Sequence, residues 1–158
     1  MAPTRDVLDG KDLAILELLQ RNGDWSHAEI GRHVGLSVSA VNDRIRRLVA
    51  NKTIEAWTAR ISPAALGLHL LAFVKVLIDR SEDIPAFVEA IGAYPEIQEC
   101  HHLAGEWNYL LKVRVATTAE LEQFISSKLK NTLKVTRTFT SISLDSIKDT
   151  HSLPIRPQ

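Results

Sequence analysis

Hydrophobic residues recur at intervals of three and four through the first fifty residues. The spacing predicts a helix over residues 9–22, a short helix around Ile30 and Val34, and a third over residues 37–48. Gly23 is placed to end the first helix. Ser26 with Glu29 is a capping-box pattern that starts the second, and Ser37 can cap the third.

Gly35 allows a sharp turn between the second and third predicted helices. Two short helices joined by a glycine turn are typical of a helix-turn-helix. The pattern of the next segment, residues 54–61, predicts a strand. This strand, which contains Trp57, is either a wing that contacts DNA or a linker strand packed at the dimer interface. Ser62 and Pro63 break this pattern, so we expect a domain boundary there.

The third predicted helix has an apolar stripe, which consists of Val38, Val41, Ile45 and Leu48. Its other positions begin with small side chains and end with arginines. Small residues suit the base edges of a DNA major groove, and arginines suit phosphates. We therefore expect Ser39, Ala40 and Asn42 or Asp43 nearer the bases and Arg44 and Arg47 nearer phosphates. The candidate DNA-binding residues are Ser37, Ser39, Ala40, Asn42, Asp43, Arg44, Arg46 and Arg47.

The second half of the chain has a different periodicity. Alternating and continuous apolar runs predict strands over 70–78, 97–103, 109–115 and 135–144, and helical spacing predicts helices over 84–93 and 118–129, the second capped by Thr118. The order β-α-β-β-α-β is typical of ferredoxin-like domains. The predicted fold class is therefore α+β: a (winged) helix-turn-helix domain with linker strand over 1–62 and a ferredoxin-like domain over 63–158.

The first predicted strand is apolar on both of its faces. Two helices cover one face of a ferredoxin-like sheet, so something else has to cover the other. A second copy of the chain is the simplest cover, and we therefore expect a homodimer formed through the sheets.

Composition narrows the classes of function. The 158 residues carry no net charge, but residues 37–52 hold four basic residues against one acid, so the positive charge is local. No apolar run is long enough to span a bilayer, and the first residues lack the apolar stretch of a secretory signal. With Cys100 as the single cysteine there is no disulfide framework. We expect a cytoplasmic protein without a membrane partner.

His101 and His102 invite a metal interpretation. Adjacent strand residues point to opposite faces, so they cannot chelate one ion together, and a hydrogen-bonded or interface role is the alternative. Cys100 fits a small buried hydrophobic residue. We expect no metal site, no catalytic residue and no cofactor.

Five segments together resemble the Lrp/AsnC (leucine-responsive regulatory protein) family of transcription regulators. They are Leu-Asp at 8–9 with Asp-Leu-Ala-Ile-Leu at 12–16, Glu-Ile-Gly-Arg-His-Val-Gly-Leu-Ser at 29–37, Arg-Ile-Arg-Arg-Leu at 44–48, Ile-Gln-Glu-Cys-His at 97–101, and Gly-Glu-Trp-Asn-Tyr-Leu-Leu-Lys-Val-Arg-Val at 105–115. Their order and spacing carry the resemblance from about residue 8 to residue 149.

The resemblance implies a regulator that binds double-stranded DNA and whose domain over 63–158 binds a small-molecule effector, an amino acid or a related metabolite. It also implies assembly through that domain into a homodimer and a higher homo-oligomer such as a tetramer or octamer. In the family the effector lies between subunits near a Gly-Asp-x-Asp-Tyr loop. Here Glu106 keeps an acid, and Asn108 replaces the other. The candidate effector-binding residues are Gly105, Glu106, Trp107, Asn108, Tyr109, Thr136, Thr138 and Thr140.

An amino-acid zwitterion needs acceptors for its ammonium and donors for its carboxylate. Glu106 and the Asn108 carbonyl could accept, backbone amides near Gly105 could donate, and Trp107 could add a cation–π contact. The loop has a plainer interpretation as a tight hairpin turn, and the threonines as ordinary strand formers. The arginines likewise have one as a solvated helix face.

Two other functions compete with an effector-responsive regulator. One is an architectural DNA-binding protein without an effector, which the departure at Asn108 keeps open. The other is an enzyme similar to sirohaem decarboxylases, suggested by His101 and His102. The basic third helix and the lack of a clustered base, nucleophile or metal set argue against an enzyme.

Overall fold

The computed structural model describes residues 8–156. The described chain forms two compact units, one from residues up to Arg60 together with those from Lys148 onward, the other from Ile61–Ile147. The first therefore includes residues after 147, which the sequence division at 62 and 63 had placed in the second. Among the described residues, no helix is long and apolar enough to cross a membrane.

The first unit contains three helices, α1 (Gly10–Arg21), α2 (His27–Val34) and α3 (Val38–Ala50). Asp9, Ser26 and Ser37 cap their N-termini, and Asp9 and Ser26 each form a capping box. The helix α1 ends at Arg21 with Asn22 as its C-cap, so Gly23 does not end it. The backbone of Asn22 is extended, which ends the helix, and its N–H donates to the carbonyl oxygen of Leu18 in the last turn.

The core of this unit consists of one apolar cluster from all three helices. Its buried members are Ile15, Ile30, Val34, Val41, Ile45 and Leu48. Val38 is an exception to the predicted stripe, since 53% of it is exposed. The Cβ atoms of a helix tilt toward its N-terminus, so a side chain in the first turn projects beyond the packed part of the helix.

The turn between α2 and α3 depends on two glycines. Gly35 adopts a left-handed conformation with φ 68°, which a residue with a Cβ adopts rarely. A Cβ on Gly31 would lie 2.6 Å from the carbonyl oxygen of Leu36. The Leu36 amide donates to the Gly31 carbonyl oxygen across 2.9 Å, so the two backbones are in direct contact.

The prediction of a strand over residues 54–61 is wrong. Residues 55–62 have no regular secondary structure and are exposed, whereas Ile54 packs against the core of the first unit. In the described part of the chain, none of the four sheet strands pairs with this segment. A β-strand needs a neighbouring strand to accept and donate its backbone hydrogen bonds. The apolar pattern of residues 54–61 therefore does not by itself make this segment a strand.

Residues that follow position 147 complete the first unit. The side-chain amide of Gln20 pairs with the backbone of Leu153: its Nε2 donates to the carbonyl oxygen at 3.2 Å, and its Oε1 accepts from the amide at 2.6 Å. Arg60 and Asp149 form an ion pair at 3.4 Å. These contacts fasten a segment without regular secondary structure to the three-helix unit.

The second unit confirms the predicted ferredoxin-like architecture. Its strands are β1 (Leu70–Leu77), β2 (Ile97–His102), β3 (Tyr109–Val115) and β4 (Arg137–Ile142), and its helices are α4 (Ile84–Ile91) and α5 (Thr118–Gln123). The sheet order is β2-β3-β1-β4, with all neighbours antiparallel.

The helix α5 begins after Thr117, whose hydroxyl accepts from the Glu120 amide, so the cap is one residue earlier than predicted. It continues as a π-helix, Phe124–Thr132. The predicted helix over 118–129 therefore exists with a wider turn in its second half.

The helices cover one face of the sheet. Phe87 from α4 and Leu121 from α5 pack with the even-numbered β1 residues Ala72, Val74 and Val76. The odd-numbered residues of β1 lie on the opposite face. Phe73 there is 37% exposed, and Phe139 on β4, paired with Lys75, is 54% exposed. One sheet face in this chain thus carries uncovered aromatic surface.

Candidate DNA-contacting helix and effector loop

The outward face of α3 is polar and exposed. Relative to the buried Val41, the helical turn of 100° per residue places Ser39, Asp43 and Arg46 on the far side. All three are exposed, and Asn42, which borders them, is half-buried. This face presents a hydroxyl, an amide, a carboxylate and a guanidinium, which are groups that bind base edges and phosphates.

Ser37 and Ala40 have different positions. The Ser37 hydroxyl accepts from the Ala40 amide at 3.2 Å and lies 3.1 Å from the Ser39 hydroxyl, so it caps α3. Ala40 is half-buried on the flank of the helix. Of the predicted set, the structure brings Ser39, Asp43 and Arg46 together on the exposed face.

Arg44 lies on the flank of α3 that contacts α1. Its Nη1 donates to Asp9 Oδ2 and to Asp12 Oδ1, both at 2.7 Å, and its side chain is 25% exposed. These carboxylates raise the pKa of Arg44 further, the hydrogen bond to Asp9 being the larger cause. The guanidinium predicted to contact phosphate is therefore occupied by two internal acids.

Arg47 shares the second of these acids. Its Nη2 donates to Asp12 Oδ2 at 2.6 Å, and half of its side chain remains exposed. Asp12 is the buried charged residue of the described core, and Oδ2 also accepts from the Asp9 amide at 3.2 Å. The cluster joins the start of α1 to α3.

Asp9 takes part in this cluster from the surface. Its pKa lies below the ordinary 3.8, chiefly because its carboxylate accepts the backbone N–H of Asp12 and then because it pairs with Arg44. The Ser26 hydroxyl and amide similarly lower the pKa of Glu29 in the cap of α2. Both caps are charged acceptors at helix N-termini, where the helix dipole favours negative charge.

A further contact fixes α1 to the end of α2. The Lys11 ammonium donates to the carbonyl oxygen of Val34, the last residue of α2. Together with the Asp12 cluster, it holds both helices of the helix-turn-helix against α1.

The predicted effector loop joins β2 to β3. Its anchor is Asn108. The side-chain Oδ1 of Asn108 accepts from the backbone N–H of Ile78 at 2.5 Å, and the backbone N–H of Asn108 donates to the carbonyl oxygen of Val76 at 3.0 Å. The Asn108 carbonyl oxygen of the backbone accepts from Leu103 at 2.8 Å. The side-chain oxygen expected to receive a ligand ammonium therefore already has a donor.

Tyr109 belongs to the core. It is 6% exposed, its ring lies 4.9 Å from Phe87, and His102 stacks on it at 4.9 Å. Gly105 is exposed with φ 138°, and a Cβ there would meet no atom within 4 Å. The exposed part of the loop thus consists of residues 104–106, with Trp107 half-buried beside them.

Glu106 and Trp107 meet the start of β4. Arg137 Nη2 lies 3.3 Å from Glu106 Oε1, and its guanidinium carbon lies 5.2 Å from the Trp107 ring centroid. The Trp107 centroid is 6.3 Å from that of Phe139, whose ring also has Lys75 Nζ at 5.7 Å. This acid, two aromatic rings and two cations form one surface group, which we call the rim cluster.

The three threonines occupy a different environment. Thr136 precedes β4, and its hydroxyl and amide both donate to the Leu77 carbonyl oxygen at 3.0 and 2.9 Å. Thr138 and Thr140 pair with Val76 and Val74 and are half-buried on the helix-covered side of the sheet. The β4 side chains that lie near the loop are instead those of Arg137 and Phe139, which alternate with the threonines.

The sequence interpretation missed Asp12, Arg137 and Phe139. A signal for Asp12 existed, since acids at 9 and 12 and arginines at 44 and 47 share one spacing of three. A strand's alternation gave no reason to prefer the threonines over the residues between them, because both sets are compatible with an exposed edge strand.

The histidines and the cysteine lie on β2. His101 Nε2 is 3.1 Å from Glu99 Oε2, and Lys112 Nζ binds Glu99 Oε1 at 2.9 Å. Burial raises the pKa of the Cys100 thiol. No group of three or more potential metal ligands occurs among residues 8–156.

Comparison with known proteins matches both units. Residues 8–49 match the AsnC-type helix-turn-helix domain and residues 71–153 the Lrp/AsnC ligand binding domain. The leucine-responsive regulatory protein of Haemophilus influenzae is 35% identical over 152 residues, covering 95% of this chain and 92% of that protein. The proline dehydrogenase transcriptional activator of Rhizobium radiobacter is 33% identical over 147 residues, covering 92% and 94%.

A solved structure of a Neisseria meningitidis transcriptional regulator in complex with L-methionine superimposes with a TM-score of 0.89. It is 31% identical, over 94% of this chain and 97% of that one. The matched families and relatives are transcription regulators rather than enzymes, so the decarboxylase alternative is set aside. The chain belongs to the Lrp/AsnC family of transcription regulators, with a DNA-binding helix-turn-helix domain and a ligand-binding domain.

Proposed function

We propose that this regulator reads double-stranded DNA with the outward face of α3 and responds to an amino acid bound at the loop over residues 105–109. The observation that carries the DNA half is the exposure of Ser39, Asp43 and Arg46 on one face of a helix whose opposite face is buried. In this proposal the residues before the predicted boundary between 62 and 63 bind DNA and those after it bind the effector, except that the segment from Lys148 onward packs with the first unit. The protein acts in the cytoplasm.

Within this face the side chains suit different parts of the groove. Ser39 and Asn42 can hydrogen-bond base edges, Asp43 can accept from cytosine, and the exposed methyl groups of Val38 can contact thymine methyls. Arg46 extends to phosphate. Arg44 serves the α1–α3 joint, and Arg47 divides its donors between Asp12 and the exposed side.

The effector half rests on the loop geometry and on one relative. Glu106 is an exposed acid beside Trp107, and the superimposable regulator of Neisseria meningitidis was solved with L-methionine. In this proposal Asn108 and Tyr109 hold the loop in place while residues 105–107 meet the effector. The threonines at 136, 138 and 140 support the neighbouring strand.

The proposed assembly is a homodimer, with tetramers or octamers of the dimer. Its support is the uncovered sheet face with Phe73 and Phe139. A second copy would bury this aromatic surface and pair two recognition helices, so that the spacing of DNA half-sites follows from the dimer.

The DNA proposal is tested by selecting a duplex from a random library with the full chain and measuring its affinity by fluorescence anisotropy over a salt series. Arg46→Ala should weaken binding and reduce the slope of log affinity against log salt by about one unit. Arg80→Ala, which removes an exposed arginine from the second unit, is the control and should change neither. Equal affinity and slope for wild type and Arg46→Ala would refute the proposed contact.

The effector proposal is tested by a thermal-shift screen of the twenty amino acids. A ligand that binds the folded state raises the unfolding midpoint by mass action. A selective rise supports an amino-acid effector, and no rise with any amino acid favours either the architectural alternative or an effector that is not an amino acid.

A further inference from the structure

We infer that Lys52, in the turn that follows α3, binds a DNA phosphate and extends the contact surface of the recognition helix beyond its last residue. This inference rests on the proposed reading of DNA by the outward face of α3. It adds a contact to the DNA backbone from a position that the pattern of the helix does not include.

The backbone of Lys52 has a left-handed conformation, with φ 60°. The Ile54 amide closes this turn by donating to the carbonyl oxygen of Leu48 at 2.9 Å. Glycine is the usual residue where a helix ends in a left-handed conformation, because it has no Cβ to clash. A lysine at this position carries backbone strain that glycine would remove, and strain of this kind is concentrated at functional sites.

The ammonium of Lys52 has no acidic partner within residues 8–156. Residues 44–54 contain four basic side chains and no acid. Two of the four, Arg44 and Arg47, bind Asp12. The other two, Arg46 and Lys52, are exposed and form no ion pair in the described part of the chain. These two therefore supply the positive charge at this end of α3 that no internal acid neutralises.

The length of α3 brings its C-terminal end to the DNA backbone. Its 13 residues span about 20 Å at 1.5 Å per residue, whereas the major groove is about 12 Å wide. When the first half of the helix faces base edges, its last turn lies at the phosphates that border the groove. Ala50 is the last residue on the outward face and cannot bind a phosphate through its side chain. Lys52 provides a cation two residues later.

Lys134 has the same backbone geometry in the second unit. Its φ is 56°, and the Val135 amide closes the turn by donating to the carbonyl oxygen of Leu129 at 3.1 Å. Lys134 is exposed and follows the π-helix. Both lysines thus carry the same charge and the same strain, but only Lys52 adjoins the recognition helix. Lys134 is therefore the matched control for Lys52.

Fluorescence anisotropy of the full chain tests the inference with the selected duplex and with a shuffled duplex of the same composition, over a salt series. Lys52→Gly should weaken binding to both duplexes about five- to tenfold near 0.1 M salt and reduce the slope of log affinity against log salt by about one unit. The ratio of the two affinities should not change, because a phosphate contact carries no sequence information. Lys52→Arg, which keeps the charge, should retain the wild-type slope.

Lys134→Gly should change neither the affinity nor the slope. The unfolding midpoints of both glycine variants should not fall below that of wild type, because glycine adopts this φ without strain. A loss of selectivity between the two duplexes in Lys52→Gly would indicate that α3 has moved and would overturn the inference. An equal loss of slope in Lys134→Gly would indicate a general effect of net charge and would overturn it as well.

The remaining outcomes separate this inference from the proposed function. If Arg46→Ala weakens binding and Lys52→Gly binds as wild type does, the inference is wrong and the proposed reading of DNA by α3 stands. If neither variant changes the affinity or the slope, the proposed contact of α3 and the inference both fail, and another surface of the first unit binds DNA.

Discussion

Arg44 on α3 donates a hydrogen bond to the buried carboxylate of Asp12 on α1 across 2.7 Å. The same carboxylate accepts from Arg47, so two arginines of the recognition helix are tied to the neighbouring helix. Replacing both arginines with alanine would therefore remove the partners of a buried charge as well as any DNA contact. Loss of DNA binding in that double variant would not identify a phosphate contact.

Removing the carboxylate should destabilise the first unit. Asp12→Ala leaves Arg44 and Arg47 without their buried acceptor, and we expect a loss of about 2 kcal/mol in the free energy of unfolding. Both arginines retain some solvent contact, which keeps the loss moderate. Urea unfolding monitored by circular dichroism measures it. Asp43→Asn, on the exposed face, is the control, and a loss as large there would contradict the assigned role of Asp12.

The Asp9 cap predicts an acid-dependent stability. Because the pKa of Asp9 is lowered in the folded state, its contribution is present above the ordinary value of 3.8 and is lost as pH falls through the lower folded value. Between pH 5 and pH 2.5, wild type should lose more of its thermal midpoint than Asp9→Asn, which keeps a good cap without the charge. Parallel curves for the two proteins would exclude this contribution.

Gly31 should tolerate no side chain. Gly31→Ala places a Cβ 2.6 Å from the Leu36 carbonyl oxygen, which is backbone and cannot rotate away. We expect a loss of roughly 1–3 kcal/mol in unfolding free energy, together with weaker DNA binding, because the turn that orients α3 has to shift. Gly10→Ala, where a Cβ meets no atom within 4 Å, should be neutral or slightly stabilising.

Asn108 offers a test of anchor against ligand contact. Asn108→Ala removes the acceptor of the Ile78 amide and should lower the unfolding free energy by about 1 kcal/mol. Asn108→Asp keeps an acceptor in place and should retain most of the stability. Chemical unfolding of the three proteins checks the order, and a stable alanine variant would remove the structural role assigned to Asn108.

Periodicity in the sequence predicted the helices and strands well, because burial of one face imposes a period of 3.6 or 2 wherever an element packs. The segment over 54–61 shows the limit, since alternation cannot reveal whether a pairing strand exists. Val38 shows a second limit of periodicity. It continues the apolar stripe of α3, but it lies in the first turn of the helix, which projects beyond the core, and it is exposed.

The candidate sites were harder to predict than the elements that carry them. The composition of α3 indicates a DNA-facing surface, but the partner of each arginine depends on which flank α1 contacts. On that flank Asp12 is the acid that both Arg44 and Arg47 bind, and its burial depends on how α1 packs against α3. Arg137 joins Glu106 only because β4 pairs with β1, which residue spacing does not encode.

The pairing of Gln20 with Leu153 has a consequence for synthesis. The ribosome completes α1, α2 and α3 long before it reaches position 153, so the DNA-binding unit waits for its final contacts until the ligand-binding unit has been made. A nascent chain arrested between the two would carry a recognition helix whose unit still lacks the segment that Gln20 holds. Translation therefore finishes the first unit last, although its three helices are made first.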